Sequence, residues 1–100
     1  MPDASKSRPL DWSKRARADL DRIYDYYLEA APFDIAEQAI ATILAQARRI
    51  ARLNLVYRPG RRGTREAVVS RFPFTIIYRI EPGKVRIVRV LHLAREYFNC

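Results

Sequence analysis

Apolar residues recur with a helical period through the first half of the chain. Between residues 14 and 31 they fall on one face, at positions 16, 20, 23, 24, 27, 28 and 31, which predicts an amphipathic helix. A second stripe, at positions 36, 40, 43, 47 and 50, predicts another helix. The break at residues 31–33 is short and contains Pro32, so the two helices are expected to be antiparallel neighbours.

Residues that flank these stripes predict where each helix begins. Asp11 or Ser13 stands before the first stripe and is suited to cap its helix. Asp34 precedes the second stripe, and Glu37 follows it at the spacing of a capping box. We therefore expect Asp34 to cap the second helix.

The second half of the chain changes to strand-like runs. Residues 54–63 are predicted to form a loop, and residues 67–71, 74–80 and 85–91 to form strands. Glu81-Pro82-Gly83-Lys84 is a turn sequence, so the last two runs make an antiparallel hairpin. The last run has apolar residues on both faces, as expected for a central strand covered on both sides.

Together these elements predict an α+β fold, in which an N-terminal antiparallel helix hairpin packs on one face of a small twisted antiparallel β-sheet. Leu10 and Trp12 predict a short first strand, so the order is β-α-α-β-β-β with a short C-terminal tail or helical turn. One hundred residues are enough for one modest core. We expect a single domain over residues 1–100, with residues 1–9 loose.

The two halves of the chain also differ in charge. Residues 1–47 hold six basic and eight acidic side chains, a net −2, whereas residues 48–100 hold thirteen and three, a net +10. Sixteen of the nineteen cations are arginine, whose planar fork meets phosphate or carboxylate bidentately. Residues 58–66, the arginine loop, contain four of them. This excess indicates nucleic acid, an acidic protein, or both in turn as partners.

Several functional classes find no support in the sequence. One histidine and a single terminal cysteine, Cys100, form no cluster with metal-ligand spacing, and we expect neither a metal nor a cofactor. No run is long enough to span a membrane, and the N-terminus lacks the apolar core of a signal peptide. Because no internal disulfide is available, the cytoplasm is the expected location.

RNA cleavage is a reaction whose requirements the basic half can meet. Attack by the 2′-hydroxyl needs a base, cations against the phosphorane charge and an acid for the leaving oxygen. Candidates for the proton transfers are His92, Glu66 and Tyr97, with Arg65 or Arg79 as the cation. Each proton-transfer candidate has a structural alternative: Glu66 in an ion pair with Arg65, His92 capping or packing at a strand end, and Tyr97 sealing the core.

Short motifs run through almost the whole chain. They are Trp-Ser at 12–13, Asp-Leu-Asp-Arg-Ile-Tyr at 19–24, Gly-Thr-Arg-Glu at 63–66, Phe-Pro-Phe-Thr-Ile-Ile-Tyr-Arg-Ile at 72–80 and Val-Leu-His-Leu-Ala-Arg-Glu-Tyr at 90–97. In this order and spacing they resemble the RelE/ParE superfamily, the toxin halves of bacterial type II toxin–antitoxin modules. The resemblance implies a two-helix hairpin on a small twisted antiparallel sheet, in agreement with the periodicities.

The superfamily divides by activity. RelE-like toxins cut mRNA in the ribosomal A site with basic residues and a tyrosine or histidine, which here would be Arg65, His92 and Tyr97. ParE-like toxins poison DNA gyrase and have no established catalytic residues. Thr75 stands where many RNA-cleaving members carry an arginine. Glu66, which follows Arg65, is more similar to the ParE-like members. The resemblance favours a gyrase poison over the alternatives, a ribosome-dependent mRNA endonuclease or a non-catalytic nucleic-acid-binding or co-repressor member.

A toxin of this kind is expected to be held inactive in a hetero-oligomer with a cognate antitoxin. The C-terminal segment of the antitoxin is expected to be acidic and amphipathic, and to fold onto the sheet and helix-hairpin surface. The arginines expected to bind the target or the antitoxin are Arg58, Arg61, Arg62, Arg65, Arg71, Arg79, Arg89 and Arg95.

Overall fold

Two helices and five strands form in the computed structural model, which describes residues 8–69 and 71–92. The strands are β1 (Leu10–Trp12), β2 (Arg58–Pro59), β3 (Arg65–Val69), β4 (Phe74–Glu81) and β5 (Lys84–His92). The helices, between β1 and β2, are α1 (Lys14–Ala30) and α2 (Phe33–Leu53). The predicted α+β architecture is confirmed, with a helix hairpin against one small sheet. The short strand β2 lies where a loop was predicted.

The sheet has the strand order β1-β5-β4-β3-β2. Strands β2 to β5 are joined by antiparallel pairs, whereas β1 runs parallel to β5. The sheet is therefore mixed, and the expectation of a wholly antiparallel sheet is wrong at β1. The long connection that parallel neighbours require runs from β1 to β5 through the helix hairpin and strands β2 to β4.

The two helices begin differently. Ser13 caps α1, because its Oγ accepts a hydrogen bond from the backbone N–H of Ala16 at 3.0 Å. Of the two predicted capping residues, Ser13 is therefore the cap. The capping box predicted at Asp34 is wrong, because α2 begins at Phe33, after Pro32, with no side-chain cap. Asp34 lies inside the first turn, and Glu37 instead accepts a hydrogen bond from the hydroxyl of Tyr24 at 2.6 Å.

A β-bulge in β5 explains its mixed apolar pattern. Tyr78 pairs with Ile87 while Ile77 pairs with Arg89, so Val88 is an extra residue. The inserted residue moves Val90 onto the same face as Ile87, and both are fully buried. β5 is an interior strand, as predicted, but its alternation reflects the bulge rather than equal burial of two faces.

The core lies between the helix hairpin and the sheet. Its largest fully buried side chains include Tyr78, Phe74, Ile43, Ile50 and Ile76. At the edge of the predicted loose segment, Arg8 and Pro9 bond to this body: Arg8 N donates to Ala51 O at 3.1 Å, and Pro9 O accepts from Val85 N at 3.0 Å. Within the described ranges, neither helix has the length and apolarity to cross a membrane.

Candidate functional site

The arginine loop is an ordered turn at the β2 edge of the sheet. Its ends are held by the pairing of Arg58 with Glu66 in β2 and β3. Across the turn, Gly60 N donates to Thr64 O at 2.8 Å, and both the amide and the hydroxyl of Thr64 donate to Arg61 O, at 3.1 and 2.6 Å. These local hydrogen bonds and the β2–β3 pairing therefore fix the backbone from which the arginines project.

Glycine is required at two points of this loop. A Cβ on Gly60 would lie 2.7 Å from Thr64 Oγ1 and 2.9 Å from Glu66 Oε2, closer than side chains approach each other. Gly63 has φ +75, in the left-handed region that favours glycine. Arg62 adopts a left-handed conformation as well, with φ 55, which directs consecutive arginines differently from a regular strand.

Within the described ranges, most of the arginine side chains of the loop have no carboxylate partner. Arg58 forms a salt bridge with Glu66 at 3.1 Å, so the predicted Arg65–Glu66 pair is wrong. Arg65 instead donates to Tyr57 O, and Arg79 donates to Arg62 O, each at 3.3 Å. Both acceptors are backbone carbonyls, which leave the guanidinium charge uncompensated.

Arg61 and Arg62, at the tip of the loop, are both exposed. Neither side chain forms a hydrogen bond or an ion pair within the described part of the chain. The apolar side chains of Val56 and Val68 are 63% and 50% exposed at this edge. The surface thus combines free cations with apolar side chains, the composition that an acidic amphipathic segment would complement.

Tyr78 supports the segment that leads into the loop, a role that the sequence analysis missed. Its hydroxyl donates to Leu55 O at 2.9 Å and accepts from Tyr57 N at 3.0 Å. Burial raises the pKa of this phenol above its ordinary value of 10.0, while the hydrogen bond from Tyr57 opposes the rise. The available signal was a tyrosine on the buried face of a strand, since a buried phenol needs a polar partner.

The Arg89 side chain is partly buried and is bound by a carboxylate of the same chain. Its Nε and Nη2 donate to the two oxygens of Asp19, at 2.8 and 3.0 Å. Asp19 is only 2% exposed and also accepts the backbone N–H of Val90 at 2.9 Å and Arg22 Nη2 at 2.5 Å. The carboxylate therefore joins α1 to the edge of β5 beyond the point where β1 ends.

Among the described residues, the remaining predicted site residues do not form one cluster. Arg71 donates to Gln38 Oε1 at 3.0 Å and lies 5.6 Å from the ring centre of Phe72. His92 packs against aromatic rings at the end of β5, with its centroid 5.2 Å from that of Phe74. Arg95 and Tyr97 lie outside the described residues.

Arg65 and His92, two of the three residues assigned to RNA cleavage, are well separated. Arg65 pairs with Tyr78 and His92 pairs with Phe74, on opposite sides of β4. The four-residue offset along β4 corresponds to about 13 Å, before the width of the sheet is added. The described structure therefore does not bring this arginine and this histidine to a common reacting atom.

Over residues 8–69 and 71–92, no group of three or more His, Cys, Asp or Glu side chains is arranged to hold a metal ion.

Comparison with known proteins places this architecture in a family. The sequence profile of the ParE toxin of the type II toxin–antitoxin system parDE matches residues 10–97. A chain of the chromosomal ParDE system of P. aeruginosa is similar in structure, with a TM-score of 0.80 and 28% sequence identity, over 89% of this chain and 99% of that one. A chain of the RelBE2 toxin–antitoxin complex of Mycobacterium tuberculosis gives a TM-score of 0.62 and 26% identity, over 86% and 91%. No protein with a curated description matches in sequence.

The helix hairpin, the five-stranded sheet and these likenesses define the toxin component of a type II toxin–antitoxin module, as the motifs predicted. Within that class, the chain belongs to the ParE toxin family.

Proposed function

We propose that this toxin poisons DNA gyrase and is neutralised by direct binding of a cognate antitoxin. The match to the ParE family over residues 10–97 is the observation that carries the choice of target. The likeness to chains of the ParDE and RelBE2 systems supports an antitoxin partner and a hetero-oligomer. Gyrase acts on the bacterial chromosome, so the proposed site of action is the cytoplasm.

The arginine loop is the proposed contact surface. Arg61 and Arg62 are exposed and unpaired within the described residues, and Arg65 and Arg79 bond only to carbonyl oxygens there. An anionic partner can bind these guanidinium groups without first breaking an internal salt bridge. Arg58 forms a salt bridge with Glu66, but its side chain is still 62% exposed, so it can contact the partner at the rim of this surface.

The antitoxin segment that fits this edge is acidic and amphipathic. Its carboxylates would pair with the loop arginines, while its apolar face would cover Val56 and Val68. Such a segment, disordered alone, would fold as it binds, and its covering of the loop would exclude the target. Arg89 is left out of this surface because Asp19 already binds it.

Parallel assays of the two targets test the proposal. The purified chain is added to a gyrase supercoiling reaction and, separately, to translating ribosomes. We expect supercoiling to be lost, restored by the antitoxin, with A-site mRNA intact. Cleaved mRNA with unaffected gyrase would identify an endonuclease instead. Salt-dependent duplex binding without growth arrest would identify a co-repressor.

A substitution at His92 sharpens this assay. His92→Asn removes the titratable ring at a position that packs against Phe74 and Tyr26. We expect gyrase inhibition by the variant to equal that of the wild type, whereas an endonuclease that uses His92 for proton transfer would lose about 100-fold or more in cleavage rate. Thermal unfolding of both proteins provides the control for folding.

A further inference from the structure

A second basic surface lies at the C-terminal end of α2, on the β1 side of the sheet. It is an open groove of about 450 Å³, which we call the helix-end groove. Its lining includes Arg8, Leu10, Ala45, Arg48, Arg49 and Arg52. The arginine loop follows β2, at the opposite edge of the sheet from β1, and none of its residues lines the groove. The two surfaces are therefore separate.

Among the described residues, no carboxylate lines the helix-end groove to balance its charge. No aspartate or glutamate occurs between Glu37 and Glu66. Arg8 donates to Asn54 Oδ1 at 2.7 Å and to Glu81 O at 3.4 Å, both neutral acceptors, so its positive charge remains. Within the described residues, the side chains of the other three arginines make no hydrogen bond or ion pair.

The helix geometry places these arginines on one face. Ala45, Arg48, Arg49 and Arg52 have the spacing of a single helix stripe, with Arg48 and Arg52 about 6 Å apart along the axis. Cations near a helix C-terminus also balance the helix dipole. That explanation does not extend to Arg8, which comes from the segment before β1 and brings a fourth guanidinium to the same groove.

The lining indicates which kind of anion fits. The apolar residues that line the groove are Leu10, Ala45 and Ala51, and the large exposed apolar side chains of the described residues, such as Val56 and Val68, are not part of its lining. An amphipathic protein segment would therefore find little apolar surface to bury there. A nucleic-acid backbone needs none, because its phosphates bind through charge and guanidinium hydrogen bonds.

We propose that the helix-end groove binds the phosphodiester backbone of duplex nucleic acid, without sequence specificity. Arg48, Arg49 and Arg52 contact phosphate oxygens on one strand, and Arg8 adds charge at the rim. The site is independent of the arginine loop, so the toxin can hold a duplex on one edge of its sheet and a protein partner on the other.

The test measures binding of the full chain to a labelled 20-base-pair duplex of arbitrary sequence, across a salt series. The groove variant replaces three arginines by glutamine: Arg48→Gln, Arg49→Gln and Arg52→Gln. Each lost phosphate contact lowers the salt slope by about 0.9, so we expect the slope to fall by about 2 to 3 and the affinity to fall at least about tenfold. Neither gyrase nor antitoxin is present, so the result does not depend on the proposed function.

A matched control removes the same charge from another exposed helical surface. Its substitutions lie in the first turn of α1: Lys14→Gln, Arg15→Gln and Arg17→Gln. We expect the control to lose less than about threefold in affinity, the effect of net charge alone. Equal losses in the two variants, or no loss in the groove variant, would refute a site at the groove.

Two further measurements address folding and ligand class. A variant with lysine at the three groove positions keeps the charge and the helix propensity, so it should fold and retain the wild-type salt slope. Polyglutamate serves as the acidic polypeptide probe. Should the glutamine variant lose polyglutamate binding while binding the duplex like the wild type, the occupant would be acidic protein and our assignment would be wrong.

Discussion

Arginine has opposite roles where α1 joins the C-terminal half of β5 and at the β2 edge of the sheet. In the part of β5 that extends beyond its pairing with β1, Ser13 Oγ donates to Val88 O at 2.8 Å and Asp19 accepts the N–H of Val90. There Arg89 is bound by the buried Asp19 carboxylate. At the β2 edge, a two-residue strand ends in the arginine loop, where Arg61 and Arg62 face solvent. The position of a carboxylate, not the residue type, decides which arginines remain for partners.

The difference is energetic as well as geometric. A buried charge pair must recover the cost of desolvation through complete hydrogen bonding, and Asp19 does so with Arg22, Arg89 and the amide of Val90. An exposed guanidinium incurs almost no such cost on folding. The junction of α1 with β5 is therefore expected to govern stability, and the β2 edge to govern recognition of the protein partner.

Removal of the Asp19 charge is expected to produce the largest effect. Asp19→Asn leaves Arg89 partly buried without a counter-ion and weakens the junction of α1 with β5. We expect the free energy of unfolding, measured by urea denaturation at pH 7, to fall by about 3–5 kcal/mol. If the variant is too unstable to purify alone, the antitoxin complexes of the variant and the wild type are compared at equal concentration, because the bound partner adds the same kind of stabilisation to both.

Asp21→Asn is the matched control for this change, because Asp21 is an exposed carboxylate on the same helix. Its unfolding free energy is expected to stay within about 0.5 kcal/mol of the wild type. Similar losses from the two substitutions would mean that the buried network contributes no more than a surface charge.

Tyr78→Phe is expected to have the next largest effect, at the base of the arginine loop. The substitution removes the partner of Tyr57 N and Leu55 O while the ring still fills the core. We expect a loss of about 1–3 kcal/mol in unfolding free energy and faster hydrogen exchange at the Tyr57 amide. Tyr24→Phe, which removes an exposed hydrogen bond to Glu37, is the control and should change stability little.

The smallest expected effect concerns Asp11 at the outer strand. Burial acts to raise the pKa of Asp11, but hydrogen bonds from Lys84 and Arg86 outweigh it and hold the pKa below 3.8. A lowered pKa stabilises the folded state above pH 3.8, and that contribution disappears as the pH falls through the folded-state value. We expect the wild type to have a slightly higher urea midpoint than Asp11→Asn at pH 7, and the same midpoint at acidic pH. A difference that grows on acidification would contradict this sign.

The periodic elements could be predicted from the sequence because their burial repeats regularly. The stripes of α1 and α2 and the hairpin of β4 and β5 are confirmed to within a few residues. Three features could not be predicted. The bulge at Val88 breaks the alternation of β5, the two-residue strand β2 is too short for a period, and the parallel direction of β1 depends on a distant partner.

The candidate site was predictable only at the level of charge. The excess of arginine after residue 47 is visible in the sequence, and so is the density of the arginine loop. What separates Arg89 from Arg62 is a carboxylate 70 positions away along the chain, at Asp19. No local sequence pattern predicts that ion pair. The helix-end groove was missed for a similar reason. Arg8 is about 40 positions from the arginines of α2 in the sequence, and only the fold brings it next to them.

The most direct test of the central claim measures affinity for the cognate antitoxin after charge reversal at the tip of the loop. The loop variant is Arg61→Glu with Arg62→Glu, and its control is Arg15→Glu with Arg17→Glu on the exposed face of α1. We expect the loop variant to bind at least about tenfold more weakly, through faster dissociation, and the control to change by less than about threefold. Wild-type affinity in the loop variant, or an equal loss in the control, would contradict the assignment of this edge to the partner.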